Sequence, residues 1–290
     1  MKEINAEVLI DRQFVLGEGV NWDSENKKLR FVDIENRKIY EFDLKTSELA
    51  EIEVENRVGF IVNTDKNSIL AGVTNKLIVI DNATQEQKII KKFNFKDGIR
   101  FNDGKCDPAG RLVFGTMAVN QDADYAKDCG ELFEYESNKD LKVLKSKMAI
   151  PNGLAFSKDN KTFYHIDTAT QEIRAYPFDL STGNTGEYET VIKIPEEYGS
   201  PDGMCIDEND NLWVALWGGY KVCCVDTKLK KITEQINVNA KYVSCCCFGG
   251  ENLDELFITS AMDENNKGGE LYHAKLDVKG TLPYEFRTGE

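Results

Sequence analysis

Short runs in which apolar and polar residues alternate cover most of the chain, and turn-forming residues separate these runs. A typical stretch begins at Gly19 and reads GVNWDSENKKLRFVDIENRKIYEFDL. Alternation with a period of two is typical of half-buried β-strands, whereas amphipathic helices repeat every 3.6 residues. Long helical periodicity is almost absent. The pattern therefore predicts an all-β protein built from short strands joined by tight turns.

The same phrase recurs along the chain, which indicates a repeat architecture. Copies begin near Gly19, Gly59, Gly104, Asn152, Asp202 and Ser244. Six copies in 290 residues give roughly 48 residues each, as expected for four-stranded propeller blades. We predict that residues 1–290 form a single six-bladed β-propeller domain with four-stranded antiparallel blades. The leading MKEINAEVLI and the trailing TLPYEFR are expected to complete one blade together, and the polar segment 121–128 to form a rim loop or short helix.

The charge balance limits the possible partners. The chain has 36 basic and 50 acidic residues, a formal net charge of −14. Nucleic acid and anionic membranes would repel such a surface, so we expect neither as a partner. No apolar run approaches the roughly 18 residues of a membrane span, and no signal peptide is evident at the N-terminus. We therefore expect a cytoplasmic protein that is a monomer or a weak homo-oligomer.

The cysteines and histidines exclude several kinds of chemistry. Cys223 and Cys224 are adjacent and 245–247 are consecutive cysteines, so neighbours on a strand would point to opposite faces. Without a C-x-x-C pair, buried free thiols are the expected state. His165 and His273 are the only histidines, and both lie in strand-like sequence. A Ser-His-Asp triad, a P-loop and an H-E-x-x-H zinc motif are all absent.

Oxygen-bearing side chains recur at one position of the repeat, directly before a glycine. They are Glu18, Asn152 and Asp202, and a fourth copy supplies Asn102 followed by Asp103-Gly104. Inner strands of propeller blades begin near the axis, so these side chains are expected to converge there. Hard oxygen donors suit Ca²⁺, Mg²⁺ or Mn²⁺. Each Asx-Gly pair taken alone is equally well explained as a turn.

The sequence resembles the senescence marker protein/gluconolactonase/regucalcin-like family over nearly its whole length. The resemblance rests on the following stretches: LGEGVNWDSENKKLRFVDI, IRFNDGKCDPAGRLVFGTM, IPNGLAFSKDNKTFYHIDT, SPDGMCIDENDNLWVALWGG and CCFGGENLDELFITSA. It implies a six-bladed propeller with one divalent cation on its axis that hydrolyses small sugar lactones. Ca²⁺ is the first choice for that cation, with Mg²⁺, Mn²⁺ or Zn²⁺ as alternatives.

The resemblance also assigns roles to individual residues. It implies Glu18, Asn152 and Asp202 as metal ligands, Asp202 as the catalytic acid and base, and Arg100 and Asn102 as substrate contacts. Ungapped counting after G-T-M places Asn120 where family members carry an acidic substrate contact. An amide can still hydrogen-bond hydroxyl groups, so we expect Asn120 to bind substrate, although the preferred lactone can differ. Hydroxide formed at the cation is the alternative to Asp202 as the base.

Three functions follow from these residues. The first is metal-dependent lactone hydrolysis, in which the cation polarises the ester carbonyl. The second is a calcium-binding regulatory protein without turnover, which needs the same ligands but no substrate pocket. The third is hydrolysis of another ester such as a phosphotriester. Trp22 and Trp213 follow strand periodicity and are expected in the core, whereas Trp217 precedes two glycines and is expected to line a pocket.

Overall fold

The protein consists almost entirely of antiparallel β-sheet. The computed structural model describes residues 1–289. The chain begins with β1 (Lys2–Asn5) and β2 (Glu7–Ile10). Three four-stranded sheets follow. The first contains β3 (Gly17–Asp23), β4 (Lys28–Asp33), β5 (Lys38–Asp43) and β6 (Leu49–Glu53), and the second contains β7 (Val58–Asn63), β8 (Ser68–Val73), β9 (Lys76–Asp81) and β10 (Gln87–Lys92). The third contains β11 (Ile99–Cys106), β12 (Leu112–Ala118), β13 (Gly130–Tyr135) and β14 (Lys142–Met148).

Two further sheets complete the structure. The fourth sheet contains β15 (Pro151–Phe156), β16 (Thr162–Asp167), β17 (Glu172–Asp179), the two-residue β18 (Asn184–Thr185) and β19 (Glu189–Lys193). The last sheet has nine strands, which are β1, β2, β20 (Ser200–Ile206), β21 (Leu212–Trp217), β22 (Lys221–Asp226), β23 (Lys231–Asn237), β24 (Tyr242–Gly249), β25 (Glu255–Ala261) and β26 (Leu271–Lys275). Within it, the runs β20–β23 and β24–β26 are joined by a single residue pair, Trp217 with Tyr242.

The first strands of successive runs form a ring. β3, β7, β11, β15, β20 and β24 contact one another in that order, and β24 contacts β3 again. Strands that radiate from such a ring in antiparallel order are the blades of a β-propeller. The predicted all-β propeller with four-stranded antiparallel blades is therefore confirmed.

The hydrophobic core lies between the faces of neighbouring sheets. One cluster, for example, packs Val32, Ile39 and Ile52 of the first sheet against Ile61 and Ile78 of the second. Within β8, the cluster members Ile69, Ala71 and Val73 occupy alternate positions, so the period-two pattern of the sequence places them on one face. The predicted core tryptophans, Trp22 and Trp213, are 2% and 1% exposed.

The two chain ends behave differently from each other. The leading segment closes the ring as predicted, since β1 pairs with β23 and β2 pairs with β26. The trailing segment was expected in the same blade, and that prediction is wrong. Residues 281–287 form no named strand, and they make only an isolated bridge between Phe286 and Thr64. The segment instead lies across one mouth of the central channel, where Thr281, Leu282 and Tyr284 cover a small cavity.

Short 3₁₀ helices are the only helical elements among the described residues. They span Asp124–Lys127, Thr168–Thr170 and Glu196–Tyr198. The first lies in segment 121–128, as the sequence predicted for that insertion. No helix in residues 1–289 is long and apolar enough to cross a membrane.

All eight cysteines are free in the described structure. Seven of them are buried, and Cys129 is half-buried. The prediction of buried free thiols is thus confirmed for all but Cys129. His165 is fully buried in β16 and His273 is half-buried in β26, in agreement with their strand-like sequence context.

Candidate functional site

The ring of inner strands encloses a cavity of about 280 Å³ near one end of the central channel. Its polar lining consists of Glu18, Arg100, Asn102, Gln121, Asn152, Thr168 and Asp202, and its apolar lining consists of Leu16, Ile34, Met117, Ile150 and Trp217. The volume lies just below the range of about 300–1,000 Å³ that is typical of pockets for drug-sized ligands. A small polar molecule therefore fits this cavity better than a large one.

Interruptions of the strand pairing point the polar residues toward the axis. The register shifts between Glu18 and Asn21 in β3, after Asn152 in β15 and after Pro201 in β20. Such bulges bend a strand locally and redirect one side chain, and they are frequent beside functional sites. The polar-residue-plus-glycine pairs of the sequence coincide with these bulges.

Two of the accompanying glycines are needed for conformation or space. Gly19 has φ of +56°, a left-handed conformation that costs glycine little. A Cβ atom on Gly153 would lie 2.7 Å from the carbonyl oxygen of Asp202, which is too close for any side chain. Glycine at this position therefore lets β15 and β20 approach each other at the crowded axis.

Buried aspartates fix the chain just before two of the inner strands. The carboxylate of Asp33 accepts hydrogen bonds from the backbone of Val15 and Leu16 at 2.9 and 3.1 Å. Asp167 plays the same part in the fourth sheet, where it accepts one from Ile150 at 3.0 Å. Each aspartate ends the second strand of its sheet, so the repeat supplies the same support to Glu18 and to Asn152.

A hydrogen-bond network links the amides of the cavity. Asn102 Nδ2 donates to Asn152 Oδ1 at 2.8 Å and to the carbonyl of Pro151 at 2.9 Å. Asn152 Nδ2 donates to Thr168 Oγ1 at 2.8 Å, and that hydroxyl donates to the carbonyl of Pro201 at 2.8 Å. These contacts orient the Asn152 amide, and its Oδ1, which has two lone pairs, keeps one for a further partner.

Arg100 lies at the edge of this network. Its Nη1 donates to the carbonyl of Phe101 at 2.7 Å and to Asn102 Oδ1 at 3.1 Å. Burial lowers the pKa of Arg100 to about 10, although Glu18 opposes that shift. The side chain therefore remains cationic at neutral pH and brings a positive charge to a cavity that also contains two carboxyl groups.

Burial and nearby negative charge destabilise the ionised forms of both carboxyl groups in the cavity. Burial, together with the nearby charge of Asp103, raises the pKa of Glu18 to about 8, against the opposing effects of the Gly19 N–H and Arg100. Burial and the charge of Glu18 raise the pKa of Asp202 well above its usual range. Because the pKa values of both carboxyl groups are raised even beside Arg100, a further positive charge is needed to ionise both at neutral pH.

A divalent cation fits the residues that are present. Among residues 1–289 no group of three or more His, Cys, Asp or Glu side chains is arranged to hold a metal ion. A site at this position would therefore need a donor besides Glu18 and Asp202, and Asn152, which lines the same cavity, carries an amide oxygen. Two carboxylates and an amide are the hard donors that Ca²⁺ and Mg²⁺ take in proteins.

Five of the six predicted site residues line the same cavity, namely Glu18, Arg100, Asn102, Asn152 and Asp202. Asn120 does not line it. Its side chain is exposed, and Oδ1 accepts a hydrogen bond from the backbone of Asp122 at 3.1 Å, as in an ordinary turn. The next residue, Gln121, lines the cavity instead. Trp217 lines the cavity too, in agreement with the sequence prediction.

Several lining residues were missed, although the repeat contained the signal for them. Leu16 and Ile150 stand two positions before Glu18 and Asn152, as Arg100 does before Asn102. Alternate strand positions share a face, which accounts for these three pairs of residues, whereas Ser200, two positions before Asp202, does not line the cavity. Ile34 and Thr168 each follow the aspartate that ends a second strand. Aligning the repeats at this level would have found them.

Comparisons with known proteins show which family the chain belongs to. A family model described as "SMP-30/Gluconolactonase/LRE-like region" matches residues 16–262. The chain is 33% identical over 292 residues to a Bacillus subtilis (strain 168) protein provisionally named sugar lactone lactonase YvrE, covering 98% of this chain and 99% of that protein. It is 31% identical over 297 residues to regucalcin of Danio rerio, covering 99% of each.

A solved structure gives the same result in three dimensions. The crystal structure of a calcium-binding protein, regucalcin, from Agrobacterium tumefaciens superposes with a TM-score of 0.91 at 25% identity, covering 99% of this chain and 98% of that one. The family model spans most of the chain and includes every residue that lines the cavity. The chain therefore belongs to the SMP-30/gluconolactonase/LRE-like family.

Proposed function

We propose that the protein is a metal-dependent hydrolase of small sugar-type lactones. The observation that carries the proposal is the convergence of Glu18, Asn152 and Asp202 on one small cavity together with Arg100 and Asn102. The name of the Bacillus subtilis relative supports the lactone as the substrate class. The whole chain serves as the scaffold, and we interpret its nine-stranded sheet as two blades, which gives a single six-bladed domain.

Glu18, Asn152 and Asp202 are the proposed ligands of one divalent cation, with Ca²⁺ as the first candidate. When bound there, the cation would supply Lewis-acid polarisation of the lactone carbonyl, whose oxygen gains negative charge in the transition state. The Agrobacterium tumefaciens relative, which is described as a calcium-binding protein, supports the same assignment.

Side chains of the cavity would carry out the proton transfers and hold the substrate. Asp202 is buried at 7% exposure, where its carboxylate can take a proton from the attacking water and return it to the ring oxygen that leaves. Arg100 supplies donors for ring hydroxyls or for the developing oxyanion. Both N–H groups of Asn102 are engaged within the protein, so this residue would contact a ring hydroxyl as an acceptor, through Oδ1. In the insertion that follows β12 we propose Gln121, in preference to Asn120, as a further hydroxyl contact, because only Gln121 of the two lines the cavity.

Turnover of a lactone panel tests the proposal. Purified protein should open aldonolactones faster than the spontaneous reaction, lose that activity with a chelator and regain it with Ca²⁺, Mg²⁺ or Mn²⁺. Glu18→Gln should not regain it, whereas Glu53→Gln, which changes an exposed residue of the outer strand β6, should behave like the wild type. Full activity in the presence of chelator would contradict the metal-dependent part of the proposal.

A calcium-binding protein without turnover is the second candidate. It is favoured by the regucalcin relatives, which cover the same length of chain at similar identity. Lactone hydrolysis distinguishes the enzyme from the calcium-binding protein. Calorimetry that shows a stoichiometric cation site, combined with no hydrolysis of any lactone in the panel, would favour the binding function over the enzyme.

A further inference from the structure

Several cysteine thiols lie near the half-buried side chain of Lys105, at the other end of the central channel. Lys105 of β11 donates a hydrogen bond to the carbonyl of Met204. The sulfurs of Cys205, Cys245 and Cys246 lie within electrostatic reach of its charge. No residue of the proposed lactone chemistry belongs to this group.

Two of these thiols meet across neighbouring inner strands. Cys205 of β20 and Cys246 of β24 have their Sγ atoms 3.7 Å apart. A disulfide needs about 2.05 Å between sulfurs, so rotations of the two side chains would have to close roughly 1.7 Å. The residues belong to the same buried cluster, between the faces of two blades.

The two thiols differ in their access to small molecules. Cys205 is 8% exposed and lines a cavity of about 50 Å³ beneath the trailing segment, together with Lys105. A cavity needs about 10–15 Å³ to hold one water molecule, so a molecule with two oxygen atoms fits in this one. Cys246 has no exposed surface, and its Sγ donates to the carbonyl of Trp213 at 3.2 Å.

Burial keeps the three consecutive thiols of β24 in the protonated, weakly nucleophilic form. Burial raises the pKa of the Cys245, Cys246 and Cys247 thiols. The thiolate is the nucleophilic form, and reactive cysteines are those that combine partial access with a nearby positive charge. Cys106 and Cys247 line the same cavity as Cys205, but Cys205 is the one of the three whose Sγ atom lies 3.7 Å from the Sγ atom of a second cysteine, Cys246.

We propose that Cys205 and Cys246 form an oxidation site for hydrogen peroxide, with Cys205 as the attacking thiol and Cys246 as the resolving one. The Cys205 thiolate attacks one peroxide oxygen, so an S–O bond forms, the O–O bond breaks, and the departing hydroxide takes up a proton as water. The Cys246 sulfur then attacks the sulfenic sulfur. The S–S bond forms, the S–O bond breaks, and a second water leaves with the Cys246 proton. Two thiols have then lost two electrons, and one peroxide has become two waters.

Peptide mapping of the folded, full-length protein tests this site. After brief peroxide treatment, the protein is quenched, denatured and alkylated, and linked peptides are identified by mass spectrometry. Two of the eight thiols should be lost first, as a Cys205–Cys246 cross-link that dithiothreitol reverses. Retention of all buried thiols, or a first cross-link between any other pair, would overturn the proposal.

Variants separate the roles of the two residues. Cys246→Ser should leave Cys205 as a sulfenic acid that dimedone traps, and Cys205→Ser should abolish both the cross-link and the trapping at this site. Cys129→Ser, which removes the one half-buried thiol, should leave the cross-link unchanged. Dimedone labelling of Cys246 in the Cys205→Ser variant would contradict the assignment of Cys205 as the attacking thiol. The wild-type map decides the proposal even if one of these variants does not fold.

Discussion

The two ends of the central channel are built from the same inner strands, yet they differ in chemistry. At one end, β11 and β20 contribute Asn102 and Asp202 to a cavity lined by hard oxygen donors. Three residues further along each strand, Lys105 and Cys205 line the small cavity beneath the trailing segment. The first cavity suits cations and polar ligands, and the second combines thiols with apolar side chains and the Lys105 ammonium group.

The difference shows how a repeat places distinct chemistry within a few residues. The bulge in β15 directly follows Asn152, the bulge in β20 contains Asp202, and bulges of this kind redirect single side chains. Beyond the bulge, regular pairing resumes, so the following side chains pack between blades, where apolar residues and thiols are stable. Changes at one end should therefore alter activity, and changes elsewhere in the blades should alter stability.

Asp202→Asn should produce the largest effect and tests the catalytic end. We expect lactone turnover to fall by about 10²–10⁴-fold, the usual contribution of a general acid–base group. Steady-state rates with saturating Ca²⁺ would measure it, and Asp277→Asn, at an exposed position, serves as the control. A variant that is folded and retains more than a tenth of the wild-type rate would remove Asp202 from its proposed role.

Glu18→Gln should reverse its effect on stability when a cation is added. Without metal, the variant should be more stable by on the order of 1–3 kcal/mol, because it relieves one desolvated carboxyl group next to Asp202. Ca²⁺ at a hundred times its Kd should stabilise the wild type by about 2.7 kcal/mol and the variant much less.

Urea unfolding in chelator and in excess Ca²⁺ measures both effects of Glu18→Gln. Glu53→Gln should show neither effect. If Ca²⁺ stabilises the Glu18 variant as strongly as the wild type, the cation binds elsewhere and the contrast between the two channel ends is lost.

His165 extends the comparison to the interior of a blade, away from both cavities. Neither ring nitrogen has a hydrogen-bond partner in the described structure, and burial lowers the pKa of His165 to about 3. Since the unfolded chain binds a proton near the ordinary pKa of 6.5, stability from this group is present above that pH and lost as pH falls toward 3. From pH 7 to pH 5 the loss should be about 2 kcal/mol.

Replacement of His165 by methionine should remove that part of the acid sensitivity. Urea unfolding at pH 7 and at pH 5 gives the free energy of unfolding at each pH. The slope of that free energy against pH should be smaller for the variant than for the wild type. His273→Met is the matched control, because His273 is half-buried beside Glu255. An unchanged slope for His165→Met would mean that the imidazole gains a partner, such as water, in solution.

The strands, the blades and most residues of the cavity could be predicted from the sequence, because each of them recurs in the repeat. Alternation gave the strands, and the recurrence of a polar residue before glycine gave Glu18, Asn152 and Asp202 as neighbours on the axis. The family resemblance added Arg100, which composition alone would place on the surface. Each of these residues lies on an inner strand, whose register the hydrophobic pattern specifies strongly.

The residues that the structure places differently from the sequence analysis lie in segments outside the repeat. Asn120 was assigned by counting along an insertion, where no strand register fixes which side chain faces inward, and Gln121 lines the cavity instead. The trailing TLPYEFR has the apolar and aromatic residues of a strand, yet Phe286 docks between the second and third sheets as an anchor. Tertiary packing determines such segments, and local pattern does not reveal it.

Diffraction from crystals soaked in Ca²⁺ would show whether Glu18, Asn152 and Asp202 share one cation. Anomalous data collected at long wavelength should show one strong peak in the cavity, about 2.3–2.6 Å from oxygens of these three residues. The same soak of Asp202→Asn crystals should give a much weaker peak. A cavity without a peak in the wild type, or a calcium ion bound only at some other place, would contradict the proposed cation site and the hydrolysis that depends on it.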